Sequence, residues 1–147
     1  DIMATIASLV GYELPDDAAT DSFDMLPVMI GRQAVKNSVR PHLLTQSFRG
    51  EFQIRKENWK YLDHKGSGGN GYEKGNLKKF SLKEKEPEAP GQLYNLTTDP
   101  GETTNLYFKE ETIRLEMQKL LKRLKESGRS APLRREPIGM AGIPKVK

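Results

Sequence analysis

Apolar positions change their spacing several times along the chain, and each change marks a different element. Ile2, Ile6, Leu9 and Val10 recur at helical spacing between Asp1, which can cap a helix, and Gly11, which can end one; this predicts a short amphipathic helix over about 2–10. Tyr12 to Thr20, with Pro15 and the pair Asp16 and Asp17, reads as a loop. Asp21 or Ser22 then caps a second helical turn carrying Phe23, Leu26 and Ile30, with Gly31 after it. Isolated helices shorter than ~12–15 residues are marginal in water, so both need a larger body to pack against.

Between 42 and 63 the period falls to two. Leu44, Gln46 and Phe48 alternate with Leu43, Thr45 and Ser47; Phe52 and Ile54 alternate with Gln53 and Arg55; Trp59 and Tyr61 alternate with Lys60 and Leu62. Three strands in a meander fit, with Gly50 and Asn58 supplying positive φ at the connections and the Trp59 and Tyr61 stripe forming sheet core. His64-Lys65-Gly66-Ser67-Gly68-Gly69-Asn70-Gly71 follows. Its glycines let backbone amides approach an anion, and a plain long hairpin loop accounts for them equally well. Residues 72–91 read as irregular with one strand around Leu77 to Leu82, and Gln92 to Leu96 as a further strand before Asp99-Pro100-Gly101-Glu102, a type II turn signal. Ile113, Met117, Leu120, Leu121 and Leu124 then share one helical face, with Glu110 and Glu111 at the start, bases toward the end and Gly128 as terminator. That stripe is expected to lie on the sheet, and the chain from 129 to be a flexible basic tail.

The 147 residues, 30% of them charged and 35% hydrophobic, suffice for one thin core and exclude several independent domains. No stretch approaches the ~20 apolar residues of a membrane span. With no cysteine there is no disulfide, thiolate metal site or cysteine nucleophile. The net charge of +4 is uneven: residues 1–31 carry −6, residues 32–85 carry +8, residues 86–128 carry −2 and residues 129–147 carry +4. A nucleic-acid interface is disfavoured, because much of the basic excess sits in a Pro- and Gly-containing tail rather than on a folded face with interleaved aromatics. The basic middle can attract anions or serve as a solvated surface beside the acidic leading segment.

Chemistry-bearing motifs are few. His42 and His64 are the near-neutral acid–base groups, and His64, beside the glycines, is the better functional candidate. No HExxH, GxSxG or P-loop ending occurs, and Asp16, Asp17, Asp21 and Asp24 lack an EF-hand pattern. Asn95-Leu96-Thr97 matches a glycosylation sequon, relevant only in a eukaryotic secretory host. By itself the chain is expected to catalyse nothing. It opens on Asp1 rather than Met, which reads as a processed or truncated piece.

Four segments carry a family resemblance. Asp1-Ile-Met-Ala-Thr-Ile-Ala-Ser-Leu-Val-Gly11 resembles "D-L-x-P-T-L-L-x-L-A-G", and Asp24-Met-Leu-Pro-Val-Met-Ile-Gly31 resembles "S-L-L-P-L-L-x-G". Gln53-Ile-Arg55 through Trp59-Lys-Tyr61 resembles "A-I-R-x-G-D-W-K-L". Gln92-Leu-Tyr-Asn-Leu96 through Asp99-Pro-Gly-Glu-Thr-Thr-Asn-Leu106 resembles "L-Y-D-L-x-x-D-P-G-E-x-x-N-L". Together, from residue 1 to about 131, the chain resembles the C-terminal part of a type I sulfatase of the arylsulfatase A-like, formylglycine-dependent family. Ala4 departs from the usual Pro, and Glu57-Asn58 replaces the usual Gly-Asp turn, which Asn58 is expected to tolerate in positive φ.

The resemblance implies an α+β fold: a small antiparallel sheet of about four strands packed by a C-terminal helix, preceded by two short helices from a missing α/β, alkaline phosphatase-like catalytic domain. Residues 1–31 would be the last helices of that domain, 32–128 the sulfatase C-terminal subdomain and 129–147 the tail. The parent would be a sulfuric ester hydrolase, periplasmic or secreted. Its formylglycine, made from C/S-x-P-x-R, its calcium ligands and its sulfate-contacting Lys and His would all lie upstream of Asp1, leaving this chain without cofactor or metal. The implied partners are the chain's own catalytic domain and a sulfated carbohydrate or aryl sulfate. Because the family's loop after the "W-K-L" strand lies near the active-site mouth, His64, Lys65, Ser67, Gly68 and Gly69 become candidate substrate-binding residues. A stand-alone carbohydrate- or polyanion-binding module and a purely structural cap remain as alternatives.

Overall fold

The computed structural model describes residues 1–33, 38–66 and 75–133. The elements in order are α1 (Ile2–Val10), α2 (Leu26–Met29), β1 (Leu43–Gln46), β2 (Phe52–Lys56), β3 (Trp59–Leu62), a 3-10 helix (Gly75–Phe80), β4 (Gln92–Asn95) and α3 (Glu111–Ser127). They fall into two compact units, Asp1–Pro41 with Leu124–Lys147, and His42–Arg123.

The second unit holds one antiparallel sheet in the order β1-β2-β3-β4. Leu44 faces Ile54, Ile54 faces Tyr61 and Tyr61 faces Leu93, so one side chain from each strand forms a row across a single face. Ile54, Tyr61 and Leu93 are the largest fully buried side chains among the described residues. The opposite face is closed only over its β3–β4 half, where Leu62, Gln92 and Tyr94 are buried. Strand β4 ends the sheet, and its outer edge is covered from within: the Leu93 amide donates to Asn105 Oδ1 at 3.1 Å, and the Leu93 carbonyl accepts from the Leu106 amide at 2.8 Å. Helix α3 reaches β3 through Gln118, whose Nε2 donates to the Tyr61 hydroxyl at 3.0 Å, while Met117 and Leu121 of the predicted stripe are buried.

The two-period pattern thus delivers the meander, and the details depart from it at turns. Positive φ at the β2–β3 connection is taken by Glu57, at 52°, not by Asn58. Lys56 pairs with Trp59, leaving a two-residue loop with a positive first position, the type II′ arrangement, and this aims the Asn58 carbonyl at the Leu96 amide 2.7 Å away. At Asp99–Glu102 the expected type II turn is absent: Glu102 rather than Gly101 holds the positive φ, at 54°. The strand expected around Leu77 to Leu82 is also absent. Strand β3 pairs directly with β4, so no slot is open between them, and the Leu77 and Phe80 spacing of three suits the 3-10 turn found instead. Trp59 is only half-buried, so the aromatic stripe feeds the core mainly through Tyr61.

In the first unit α1 ends as expected on Gly11 in left-handed geometry, φ 70°. Asp1 holds the N-cap position as expected, but its side chain makes no capping bond. Its carboxylate accepts from the Phe23 amide at 3.0 Å and from Arg40, whose Nη2 lies 2.6 Å from Oδ1. The N-cap position of α2 is Met25, and Asp24 just before it takes the Leu26 amide on Oδ1 at 2.8 Å; Ser22 Oγ serves the Ala4 amide and Asp21 Oδ1 the Ser130 amide. The described start of the expected tail is held chain: Ser130 and Ala131 are buried, and Arg129 donates to the Asp16 carbonyl at 3.0 Å. Ser67, Gly68 and Gly69, the glycines to Gly71, and 134–147 lie outside the described residues.

Candidate functional site

The exit of β3 is the part of the predicted site within the described residues. Tyr61 starts it: burial pushes its phenol up to about 12, opposed by the Gln118 bond, and the hydroxyl reaches Asp63 Oδ1 at 3.1 Å. The Asp63 amide still donates to the Phe52 carbonyl at 3.0 Å, extending the ladder one residue past the strand. His64 and Lys65 come next and form a turn closed by Gly66, whose φ of 73° favours glycine. The His64 ring Nδ1 lies 3.1 Å from the Lys65 carbonyl, and Lys65 Nζ donates to the Pro87 carbonyl at 2.8 Å. The two sequence candidates are therefore adjacent on one exposed turn, with the lysine ammonium already holding a backbone oxygen.

Sequence reasoning missed the residue beneath them. Gln92, at the start of β4, is buried and donates from Nε2 to both the His64 carbonyl, at 3.1 Å, and the Gly66 carbonyl, at 2.7 Å. Nothing in a lone glutamine ahead of a Leu-Tyr pair signals that role. A second cluster follows β4: Asp99 accepts from the Thr103 and Thr104 amides, each at 2.8 Å to Oδ2, and these bonds, Thr103 first, hold its carboxyl below the ordinary carboxylate range. Beside it Lys60 Nζ meets both Glu102 oxygens at 2.8 Å. These contacts fold the segment into a rigid support and leave it no evident reactive group. Among the described residues no group of three or more His, Asp or Glu could hold a metal ion.

A different kind of site lies on α1. Its inward positions are the small Ala4 and Ala7, whereas Ile2, Met3, Ile6, Leu9 and Val10 are each more than half exposed. Met29 of α2 is exposed to 74%. Such concentrated outward apolar surface makes α1 a candidate interaction face.

No family model matches the chain. Over 125 residues, 85% of this chain and 22% of its own length, an N-acetylgalactosamine-6-O-sulfatase from Bacteroides thetaiotaomicron is 30% identical. The resemblance is to sulfatases. A solved structure described under the metabolism of multiple glycosaminoglycans by the same organism matches this sulfatase-like chain with a TM-score of 0.64 and 26% identity, over 86% of this chain and 24% of its own. Another, described as a complex with its substrate D-glucosamine-2-N,6-O-disulfate, matches with a TM-score of 0.53 and 17% identity over 86% of this chain and 23% of its own, and so speaks for the fold alone. The sulfatase-like chain spans about a quarter of each, consistent with a C-terminal sulfatase fragment. No helix among the described residues is long and apolar enough to cross a membrane.

Proposed function

We propose that the chain is the C-terminal portion of a sulfuric ester hydrolase acting on a sulfated amino sugar, and that it serves that enzyme in two ways. The first is docking. Residues 1–31 complete the catalytic α/β body, with the outward side chains of α1 covered by it, and 32–128 form the subdomain beside it, followed by the basic 129–147 segment. The second is shaping the pocket: His64 and Lys65, with Ser67, Gly68 and Gly69 further along the loop, present a cation and backbone amides to the sulfated substrate. The nucleophilic formylglycine and the calcium belong to the catalytic body, so this chain alone does not turn over substrate. A periplasmic or secreted location accords with extracellular sulfated glycans as substrate.

The 30% identity to an N-acetylgalactosamine-6-O-sulfatase carries the reading and favours a sulfated carbohydrate over an aryl sulfate. One observation favours a plain structural cap instead, namely the Lys65 ammonium spent on the Pro87 carbonyl. Replacing His64 and Lys65 by alanine in the enzyme that carries this chain separates the two. Pocket shaping requires a KM for sulfated amino sugars raised at least tenfold with folding intact; wild-type kinetics on every accepted substrate leave only the cap. The enzyme class itself is tested by the coding sequence upstream of Asp1, which must contain C/S-x-P-x-R.

A further inference from the structure

The Gln92 carboxamide makes three hydrogen bonds to the chain around it, two donated and one accepted. Two carbonyl oxygens, of His64 and Gly66, can only accept, so they fix the amide nitrogen on their side. The remaining oxygen, Oε1, accepts from the Tyr94 hydroxyl at 2.6 Å. Burial, then Glu84, Glu102 and Asp99, keeps that phenol protonated and able to donate. The backbone gives Gln92 little freedom. A Cβ on the preceding Gly91 would stand 2.7 Å from the Leu62 carbonyl, so the start of β4 is pressed against the end of β3, and Leu62 and Gln92 are cross-strand partners. From that fixed origin the side chain spans the turn and grips it at both ends.

We propose that Gln92 is a positioning residue: its two donated bonds set the His64–Gly66 turn, and through it the direction in which His64 and Lys65 meet an anionic sugar. This rests on the pocket reading given above. The test is Gln92→Glu, which keeps the shape and the acceptor for Tyr94 but faces two carbonyl oxygens with a carboxylate. In the full chain, backbone order parameters at Lys65 and Gly66 should fall from rigid values toward those of a free loop, roughly from 0.85 to below 0.6, while the Ile54 and Tyr61 amides keep their exchange protection. Should that variant not fold, Gln92→Leu removes both donors without the repulsion and must show the same loosening, whereas Tyr94→Phe, which spares both donations, must not. In the enzyme that carries the chain, KM for a 6-sulfated N-acetylgalactosamine should rise about tenfold with kcat within twofold, and the change should be non-additive with His64→Ala. Unchanged order parameters overturn the proposal, as does a KM effect fully additive with His64→Ala. If His64→Ala and Lys65→Ala alone leave KM unmoved, it is the pocket reading that fails, and the order parameters still decide whether Gln92 holds the turn.

Discussion

Ile6 and Ile54 are the same side chain in opposite circumstances. Ile54, on β2, is 0% exposed and has a buried neighbour across the strand in Tyr61; Ile6, on α1, is 53% exposed while the alanines of its helix point inward. The sheet unit satisfies its own apolar face with four strands, the Gln118 bond and the chain after β4. The leading helices bury Ala4, Ala7 and Leu26, with Phe23 beside them, add polar contacts such as Arg40 on Asp1 and Thr5 Oγ1 accepting from the Met25 amide at 3.0 Å, and leave Ile2, Ile6, Leu9, Val10 and Met29 exposed. One region covers the apolar row at its centre, and the other leaves a row of large apolar side chains exposed. The difference shows that helical periodicity reports which side of a helix is apolar, but not whether the surface that covers it belongs to the same chain.

The sharpest way to break this contrast is to shorten both isoleucines. Ile54→Ala should cost about 2–5 kcal/mol, because it empties a packed site that cannot collapse. Ile6→Ala should stay within about 0.5 kcal/mol in the isolated chain, as an exposed substitution. Denaturant unfolding of the two variants checks both. A large cost at Ile6 would mean that the chain covers α1 itself, and the docking role would fall. Its counterpart, Ile6→Glu with Leu9→Glu, should leave the chain's own unfolding midpoint in place and abolish its recovery with a separately expressed catalytic body.

Gly91→Ala asks whether the sheet unit is as finished as it looks. The added carbon would meet the Leu62 carbonyl at 2.7 Å, a backbone atom that cannot rotate away, and the Tyr107 ring at 3.2 Å. Overpacking of this kind should destabilise by about 1–3 kcal/mol, read in the same unfolding experiment. A neutral result would show β3 and β4 free to separate at the loop end, weakening the case for Gln92 as well.

Titration probes the same unit from its two polar ends. Tyr61 has a folded pKa raised to about 12 from 10.0, so its contribution is complete below pH 10 and is lost as pH rises toward 12. Phenolate absorbance should therefore lag behind that of exposed tyrosines and appear together with unfolding. Asp99 is the reverse case: its folded pKa is lowered from 3.8, so its contribution is present above that value and is lost as pH falls through the depressed one. Asp99→Asn should remove that acid dependence while leaving the alkaline limb unchanged.

How far the fold could be read follows from which forces are local. The strands, α1 and α3 were legible because side-chain period and a terminal glycine act within a few residues: Gly11 and Gly128 both stand in positive φ where the pattern stops. Asp1 was rightly placed at the N-cap of α1, but the side-chain caps were misread because Asp1, Asp21 and Ser22 bond to distant chain, to Arg40, Ser130 and Ala4, rather than to the turn they precede. Leu77 to Leu82 was misread because β3 pairs directly with β4, a long-range choice that leaves the segment outside the sheet. In the candidate site, His64 and Lys65 were visible as charged residues beside glycines. Gln92 was not, because its role arises only when β4 brings it under a turn more than twenty residues away.

The smallest expected effect concerns a turn where the resemblance and the structure point the same way. Glu57 holds φ 52°, a conformation in which Cβ crowds the backbone and which costs a non-glycine residue roughly 1 kcal/mol. The related motif has glycine at this position, and the type II′ arrangement calls for glycine there. Glycine also loses more freedom on folding, which offsets part of the relief. Glu57→Gly should thus stabilise the sheet unit by at most about 0.5–1 kcal/mol, seen as a raised denaturant midpoint at unchanged slope. The Glu57 carbonyl, which accepts from Arg55 Nε at 3.3 Å, is backbone and survives the change. A loss of stability would mean that the glutamate side chain gives the hairpin more than its backbone strain takes away, and that the departure from glycine serves this hairpin.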